Sequence, residues 1–225
     1  VSAIFDEYAE HYDSWFKTPT GTKVFELELK TLFDLIKPFQ GMKMLDVGIG
    51  TGFFALEFAN RGVEISGIDP SEKMIEIATK RGLKAQIGSG EDIPFGENLF
   101  DAVLSMTSME FSSDPGKFIS EMARVAKPAG IIVVAVLNLL SFYGVERRLK
   151  GLFKKTIFSD AYFYSFWELK RLLRRHLSSV AITSSVFFNP NPSEFILGRA
   201  DAIEAFGKKY CKPFGALLVG RGIKE

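Results

Sequence analysis

The chain predicts an α/β fold: a doubly wound, seven-stranded, mostly parallel sheet with helices on both faces and an N-terminal helical cap. Three observations carry that prediction. Apolar segments of strand length alternate with helical patterns from residue 43 to 138. Runs such as Ile131-Ile132-Val133-Val134-Ala135-Val136 are apolar at every position, as strands between two helix layers are. One strand–turn–helix unit, from Met44 to Ala59, carries three glycines at alternate positions in its turn.

The elements follow in order. Ile4, Phe5, Tyr8, Tyr12 and Trp15 share one face at helical spacing, and Phe25, Leu29, Leu32, Phe33 and Ile36 do so in a second helix ending near Pro38. Strand 43–48, helix 53–61, strand 63–68 and a helix from Ser71 to about Arg81 come next. Strand 83–88, a loop through Pro94, strand 100–106, helix 115–126 and strand 130–138 complete the alternating part. Phe118, Met122, Val125 and Ala126 give helix 115–126 its buried face. Residues 139–165 are aromatic and basic, 166–177 read as helix, and Val180 to Phe188 as strand. A turn at Asn189-Pro190-Asn191-Pro192 precedes a short helix near 199–209, and Phe214 to Val219 reads as the last strand.

Composition narrows the function. At 225 residues, with 47% apolar and 24% charged residues, the chain suits one globular domain with a full core. A net charge of +1 gives no global attraction to nucleic acid or an anionic membrane. The 22 phenylalanines have two readings, plain core filling, which is favoured, or the lining of an apolar substrate chamber. Cys211 is the single cysteine and His11 and His176 the two histidines, so neither a disulfide nor a metal site is expected. With no signal peptide in view and no apolar run of membrane-spanning length, a cytoplasmic protein without stable membrane association is the expectation.

In doubly wound sheets the ligand sits at the carboxyl ends of the strands, beside the switch point. Gly48, Gly50 and Gly52 end the first strand there, with loop N–H groups and a helix N-terminus expected to face the ligand. Asp46 precedes them, and a carboxylate at that point suits a ligand carrying positive charge better than a pyrophosphate. Asp69 ends the second strand, where an acid can accept both ribose hydroxyls of an adenosine. Asp69-Pro70-Ser71-Glu72 also reads as a helix start, with Asp69 as the cap and Pro70 in the first turn. Gly88-Ser89-Gly90-Glu91-Asp92 follows the third strand, and Ser105-Met106-Thr107 ends the fourth.

Asp46-Val47-Gly48-Ile49-Gly50-Thr51-Gly52 resembles the first motif of class I S-adenosylmethionine-dependent methyltransferases, a Rossmann-like family. Gly67-Ile68-Asp69-Pro70-Ser71-Glu72-Lys73-Met74 resembles their second, and Glu91-Asp92-Ile93-Pro94-Phe95 the loop beside the adenine. Phe100-Asp101-Ala102-Val103 and Arg124-Val125-Ala126-Lys127-Pro128-Ala129-Gly130 resemble the entries to the fourth and fifth strands. The likeness is nearest to the type 11 group, which includes ubiquinone- and menaquinone-biosynthesis enzymes. It extends to Tyr8-Ala9-Glu10-His11-Tyr12-Asp13 near the start.

The resemblance implies S-adenosylmethionine as cofactor. It implies contacts from Tyr12, Asp46, Gly48, Gly50, Gly52, Asp69, Pro70, Met74, Gly90, Glu91, Asp92 and Met106, with Asp46 near the ammonium end. It also implies transfer of a methyl group by in-line displacement to a small apolar or aromatic metabolite. The chain departs from the family at Ile49, commonly Cys, at Ser89, where many members have an acid, and at Glu110, where a bulky aromatic or His is frequent. Glu110, at the mouth of the fourth strand, is the candidate for substrate contact or general base, ahead of Tyr8 and His11. The implied single domain has a cap at 1–40, a cofactor core at 41–138, a lid at 139–178 and C-terminal strands with a short helix at 179–225.

Two other readings stay in view. One is a non-catalytic S-adenosylmethionine-binding or scaffolding protein of the same fold. The other, an NAD-type oxidoreductase, fits poorly because Phe53 stands where a third glycine belongs. A nucleic-acid acceptor is not expected, since Met106-Thr107-Ser108-Met109-Glu110 occupies the place where amino-methyltransferases of RNA and DNA carry Pro-Pro-Tyr or Pro-Pro-Phe. The basic stretch Arg147–Lys155 is expected on the solvated face of the lid.

Overall fold

A computed structural model describes residues 5, 6, 8–151 and 160–225, without the side chains of 147–151. Ile4 and the stretch from Leu152 to Lys155 therefore lie outside the described residues.

Seven strands form one sheet: β1 (Lys43–Val47), β2 (Glu64–Asp69), β3 (Lys84–Ile87), β4 (Phe100–Met106), β5 (Ala126–Leu137), β6 (Ser178–Ser185) and β7 (Leu217–Ile223). Their order is β3-β2-β1-β4-β5-β7-β6. β1 to β5 run parallel, while β7 lies antiparallel between β5 and β6. The order reverses between β1 and β4, so a cleft opens at the carboxyl ends of these two strands.

The helices are α1 (Pro19–Ile36), α2 (Phe53–Ala59), α3 (Glu72–Lys80), α4 (Pro115–Val125), α5 (Phe142–Gly151), α6 (Phe166–Leu173), α7 (Glu194–Leu197) and α8 (Ala200–Tyr210). Strand periodicity sends alternate side chains to opposite faces of the sheet. Leu45, Val47, Val103, Ile132, Val134 and Val136 pack with Ile119, Met122 and Val125 of α4 and Leu169 and Leu173 of α6. Met44, Ile65, Leu104, Val133 and Ala135 pack with Leu29, Leu32 and Ile36 of α1 and Ala55 and Phe58 of α2. Each fully buried aliphatic side chain contributes roughly 1.5–3 kcal/mol, so both layers hold the sheet firmly. No helix among the described residues is long and apolar enough to cross a membrane.

Several boundaries differ from the sequence reading, each for a local reason. The first amphipathic stretch contains a 3-10 helix, Tyr12–Lys17, rather than continuing as an α-helix. Pro19 holds Thr18 extended (φ −76°, ψ 154°), and Thr18 then caps α1 by accepting a hydrogen bond from Gly21 N. The cap of α3 is Ser71, not Asp69: Ser71 Oγ accepts from Met74 N, leaving Pro70 outside the helix. The last strand begins at Leu217 because Lys212–Phe214, with Pro213, forms a 3-10 turn. β6 stops at Ser185 because Val186 takes a left-handed conformation, φ +64°.

Candidate active site

The glycine turn is tied to the end of β2. Gly48 and Ile49 donate to the Ile68 carbonyl at 2.8 and 2.9 Å, and Gly50 donates to Asp69 Oδ2 at 2.9 Å. These N–H groups are spent within the protein, contrary to the expectation that they face the ligand. Gly48, Gly50 and Gly52 all have positive φ. A Cβ on Gly50 would meet nothing within 4 Å, so the turn is bare at that point. Asp69 Oδ1 accepts from Ser71 N at 2.9 Å, which fixes the carboxylate from both sides. Burial raises the Asp69 pKa despite these two hydrogen bonds.

Asp46, on β1, is 2% exposed, and its Oδ1 has no hydrogen-bond partner among the described residues. Burial, and then the nearby Asp69 charge, raises its pKa to about 7. A buried carboxylate oxygen without a donor is costly unless a ligand supplies one, which makes Asp46 a ready partner for a cation.

Two adjoining cavities occupy the cleft. The smaller, about 230 Å³, is lined by Tyr12, Gly48, Gly50, Asp69, Pro70, Met74, Gly90, Glu91 and Met106 of the expected residues, joined by Phe5, Ser108, Phe111 and Phe118. The larger, about 350 Å³, takes in Asp46 and has mostly aromatic and aliphatic walls, including Tyr8, Trp15, Phe16, Phe53, Phe54, Tyr143 and Val186. Tyr12, Gly48, Gly50, Met106 and Thr107 line both. Burial, followed by the Asp69 charge, raises the Tyr12 hydroxyl pKa to about 12, so it stays a neutral donor.

Three expected residues stand elsewhere. Gly52 caps α2 and lies against Leu83, whose Cδ1 would be 2.3 Å from an added Cβ, so its glycine serves packing. Asp92 is exposed beyond a tight turn in which its N–H meets the Ser89 carbonyl. Glu110 is 1% exposed and lines neither cavity; its Oε1 accepts from Leu137 N at 2.7 Å, tying the turn after β4 to the end of β5. The candidate base of the sequence reading thus stands behind the cavity walls, where its charge acts on the Tyr12 hydroxyl. His11 is exposed and also lines neither, whereas Tyr8 does reach the larger cavity.

Glu91 borders the smaller cavity, but its carboxylate is engaged. It accepts from Ser112 Oγ at 2.6 Å, Ser113 N at 2.7 Å and Asp114 N at 3.1 Å, clasping the start of α4. The Ser112 hydrogen bond leads the contacts that lower its pKa to about 2. Gly90 beside it has no room for a side chain, because the Phe118 ring would be 2.1 Å from a Cβ.

The sequence reading missed what fastens the N-terminal segment above the cleft. Asp13 forms an ion pair with Arg81 and accepts from Thr51 Oγ1 at 2.8 Å, while Arg81 also donates to the Thr51 carbonyl at 2.9 Å. Ser71 Oγ donates to Asp6 at 2.5 Å, and the Phe5 ring meets Phe111 edge-on at 5.1 Å. Phe16 stacks on Phe53 at 4.8 Å. Acids at 6 and 13 flanking the aromatic stripe were the visible signal, but their partners lie far along the chain.

The sequence profile of the methyltransferase-domain family matches residues 45–134. A ubiquinone biosynthesis O-methyltransferase of Rhodopseudomonas palustris is 34% identical over 187 residues, covering 78% of this chain and 72% of that protein. The chain belongs to the S-adenosylmethionine-dependent methyltransferases. An uncharacterised protein of Methanocaldococcus jannaschii is 36% identical to this methyltransferase over 188 residues, 82% of this chain and 85% of that protein. Among solved structures, a methyltransferase of Thermotoga maritima, a possible histamine N-methyltransferase, aligns over the whole of both chains with a TM-score of 0.81 and 27% identity. The cofactor of this methyltransferase is thus S-adenosylmethionine. The donor set fits it: Asp46 has an unmatched buried oxygen for the cofactor's positive end, and the Gly48, Ile49 and Gly50 N–H groups are already bonded within the protein rather than open to a pyrophosphate. The oxidoreductase reading ends here.

Proposed function

We propose that this methyltransferase acts on a small apolar or aromatic metabolite held in the 350 Å³ cavity, with the adenosine part of its cofactor in the 230 Å³ one. The observation that carries the proposal is the shared wall of Tyr12, Gly48, Gly50, Met106 and Thr107, where two separately shaped cavities meet. Asp69 would take the ribose hydroxyls, Pro70, Met74, Gly90 and Phe118 the adenine, and Asp46 the ammonium. When bound, S-adenosylmethionine supplies a methyl group that is already electrophilic on its sulfonium.

The protein's contribution is therefore alignment. Holding an acceptor in line at near contact can lower a barrier by roughly 7–11 kcal/mol. Tyr8, Tyr12, Trp15, Phe16, Phe53 and Phe54 enclose the acceptor side and exclude water, and the cavity's volume is at the small end of ligand pockets. An acceptor that presents a free lone pair at the working pH, as an aromatic amine does, needs no protein base, whereas a phenol or quinol must lose its proton as the methyl group arrives.

Titration with S-adenosylhomocysteine, followed by a screen with methyl-labelled S-adenosylmethionine, tests the reading. Label is expected on apolar phenols, quinols or amines. Transfer confined to nucleic acid, protein or polyanionic metabolites would overturn it. Asp69→Ala should weaken S-adenosylhomocysteine about 10–100-fold, through loss of charge-assisted hydrogen bonds; unchanged affinity would remove Asp69 from the site.

A further inference from the structure

Val186 is a β-branched residue at φ +64°, a conformation in which such side chains are genuine outliers. It is 1% exposed and lines the 350 Å³ cavity. A left-handed turn at the end of β6 could be made without strain by glycine, or at little cost by asparagine. Valine keeps the turn and adds an isopropyl group to the cavity wall.

The conformation is held from α8. Glu204, itself buried, accepts from Val186 N at 2.8 Å through Oε2 and from Ser185 Oγ at 2.8 Å through Oε1. Lys208 lies 3.2 Å from Glu204 Oε1 and donates to Thr31 Oγ1 of α1 at 2.6 Å. On its other side the Val186 carbonyl accepts from Ala216 N at 2.8 Å. α8 can approach this closely because Gly207 leaves no Cβ to strike the Phe187 ring, which would be 2.2 Å away. Ala216, on the far side of this bond, lines the cavity, as does Val24 of α1. One buried carboxylate thus ties the end of β6 to α8 and, through Lys208, to α1, whose Val24 lines the same cavity.

We propose that Val186, held in its left-handed conformation by the positioning residue Glu204, sets the depth of the acceptor chamber and so determines which acceptor sizes are admitted. The inference rests on the reading that the 350 Å³ cavity takes the acceptor. The strain follows from structure elsewhere in the fold and falls on a residue that faces the cavity, as strain retained for function does.

The test uses phenol, 1-naphthol and 9-phenanthrol as probes of increasing size, added to protein saturated with S-adenosylhomocysteine. Trp15 lines the chamber and is one of two tryptophans, so in a Trp167→Phe background its fluorescence reports binding. Val186→Gly is expected to raise the affinity ratio of 9-phenanthrol to phenol at least tenfold, with S-adenosylhomocysteine affinity unchanged within twofold. Glu204→Ala should move the ratio in the same direction, and Glu204→Gln, which keeps an acceptor for Val186 N–H, should restore it. A ratio that stays put in Val186→Gly, while the parent binds the probes, overturns the inference alone. If S-adenosylhomocysteine binds but no probe does, the assignment of the cavity to the acceptor falls and the inference with it.

Discussion

Asp46 concentrates the electrostatics of the cleft. Its pKa of about 7 in the folded protein compares with about 3.9 for a free carboxyl. Below both values the group is protonated in either state and the fold loses nothing. Between them the unfolded chain releases the proton while the folded one keeps it, so folding stability falls as pH rises; above about 7 the slope ends. An ammonium placed beside Asp46 favours the ionised form, and binding then expels the proton. Affinity for S-adenosylhomocysteine should rise about tenfold per unit as pH approaches 7 from below, then level off. Calorimetry at pH 6 and 8, in buffers of different ionisation enthalpy, should show proton release that disappears in Asp46→Asn. Equal affinity and no release at both pH values would place the ammonium elsewhere. The residue type and its position were legible in the sequence. Its missing donor was not, because that depends on how β1, β2 and the glycine turn use their own hydrogen bonds.

At the scale of elements, the sequence showed the alternating part well, since the central strands β1, β4 and β5 are buried on both faces and the helices carry apolar stripes, while the edge strand β3, largely exposed, was placed by the alternation. It misplaced functions that depend on side-chain direction. Glu110 follows β4 as expected, yet it turns to Leu137 N, and Gly52 is glycine for Leu83 rather than for a ligand. The N-terminal cap was legible only as an aromatic stripe. What holds it down is Arg81, at the far end of α3, gripping Asp13 and the Thr51 carbonyl. Arg81→Ala removes charge-assisted hydrogen bonds of about 1.5–3 kcal/mol each in a half-buried setting. Amide exchange in residues 8–17 should quicken, and S-adenosylhomocysteine should bind about tenfold more weakly, with exchange in β1 and β4 unaltered. Protection of 8–17 equal to wild type would mean that aromatic packing of Phe16 on Phe53 suffices.

For the whole molecule, a cleft that leaves a buried carboxylate oxygen without a donor should be stabilised markedly by its ligand. At S-adenosylhomocysteine concentrations of 100 times Kd the gain is about 2.7 kcal/mol, which for a chain of 225 residues raises Tm by roughly 5–10 °C. Thermal melts with and without ligand check this, and Asp69→Ala should show a smaller shift at the same concentration. The sheet order and the carboxyl-end cleft explain why one strand-end reading named nine residues that line the same 230 Å³ cavity. The larger cavity was illegible for the opposite reason. Its walls come from the N-terminal segment, α1, α5, the turn after β6 and the start of β7, elements distant in sequence that converge through tertiary packing.

The wall shared by the two cavities also has a stereochemical consequence. If the departing sulfur occupies one chamber and the incoming nucleophile the other, the methyl carbon passes between them with its three hydrogens folding over like an umbrella in the wind. A methyl group made chiral with hydrogen, deuterium and tritium would reach its acceptor with the opposite handedness.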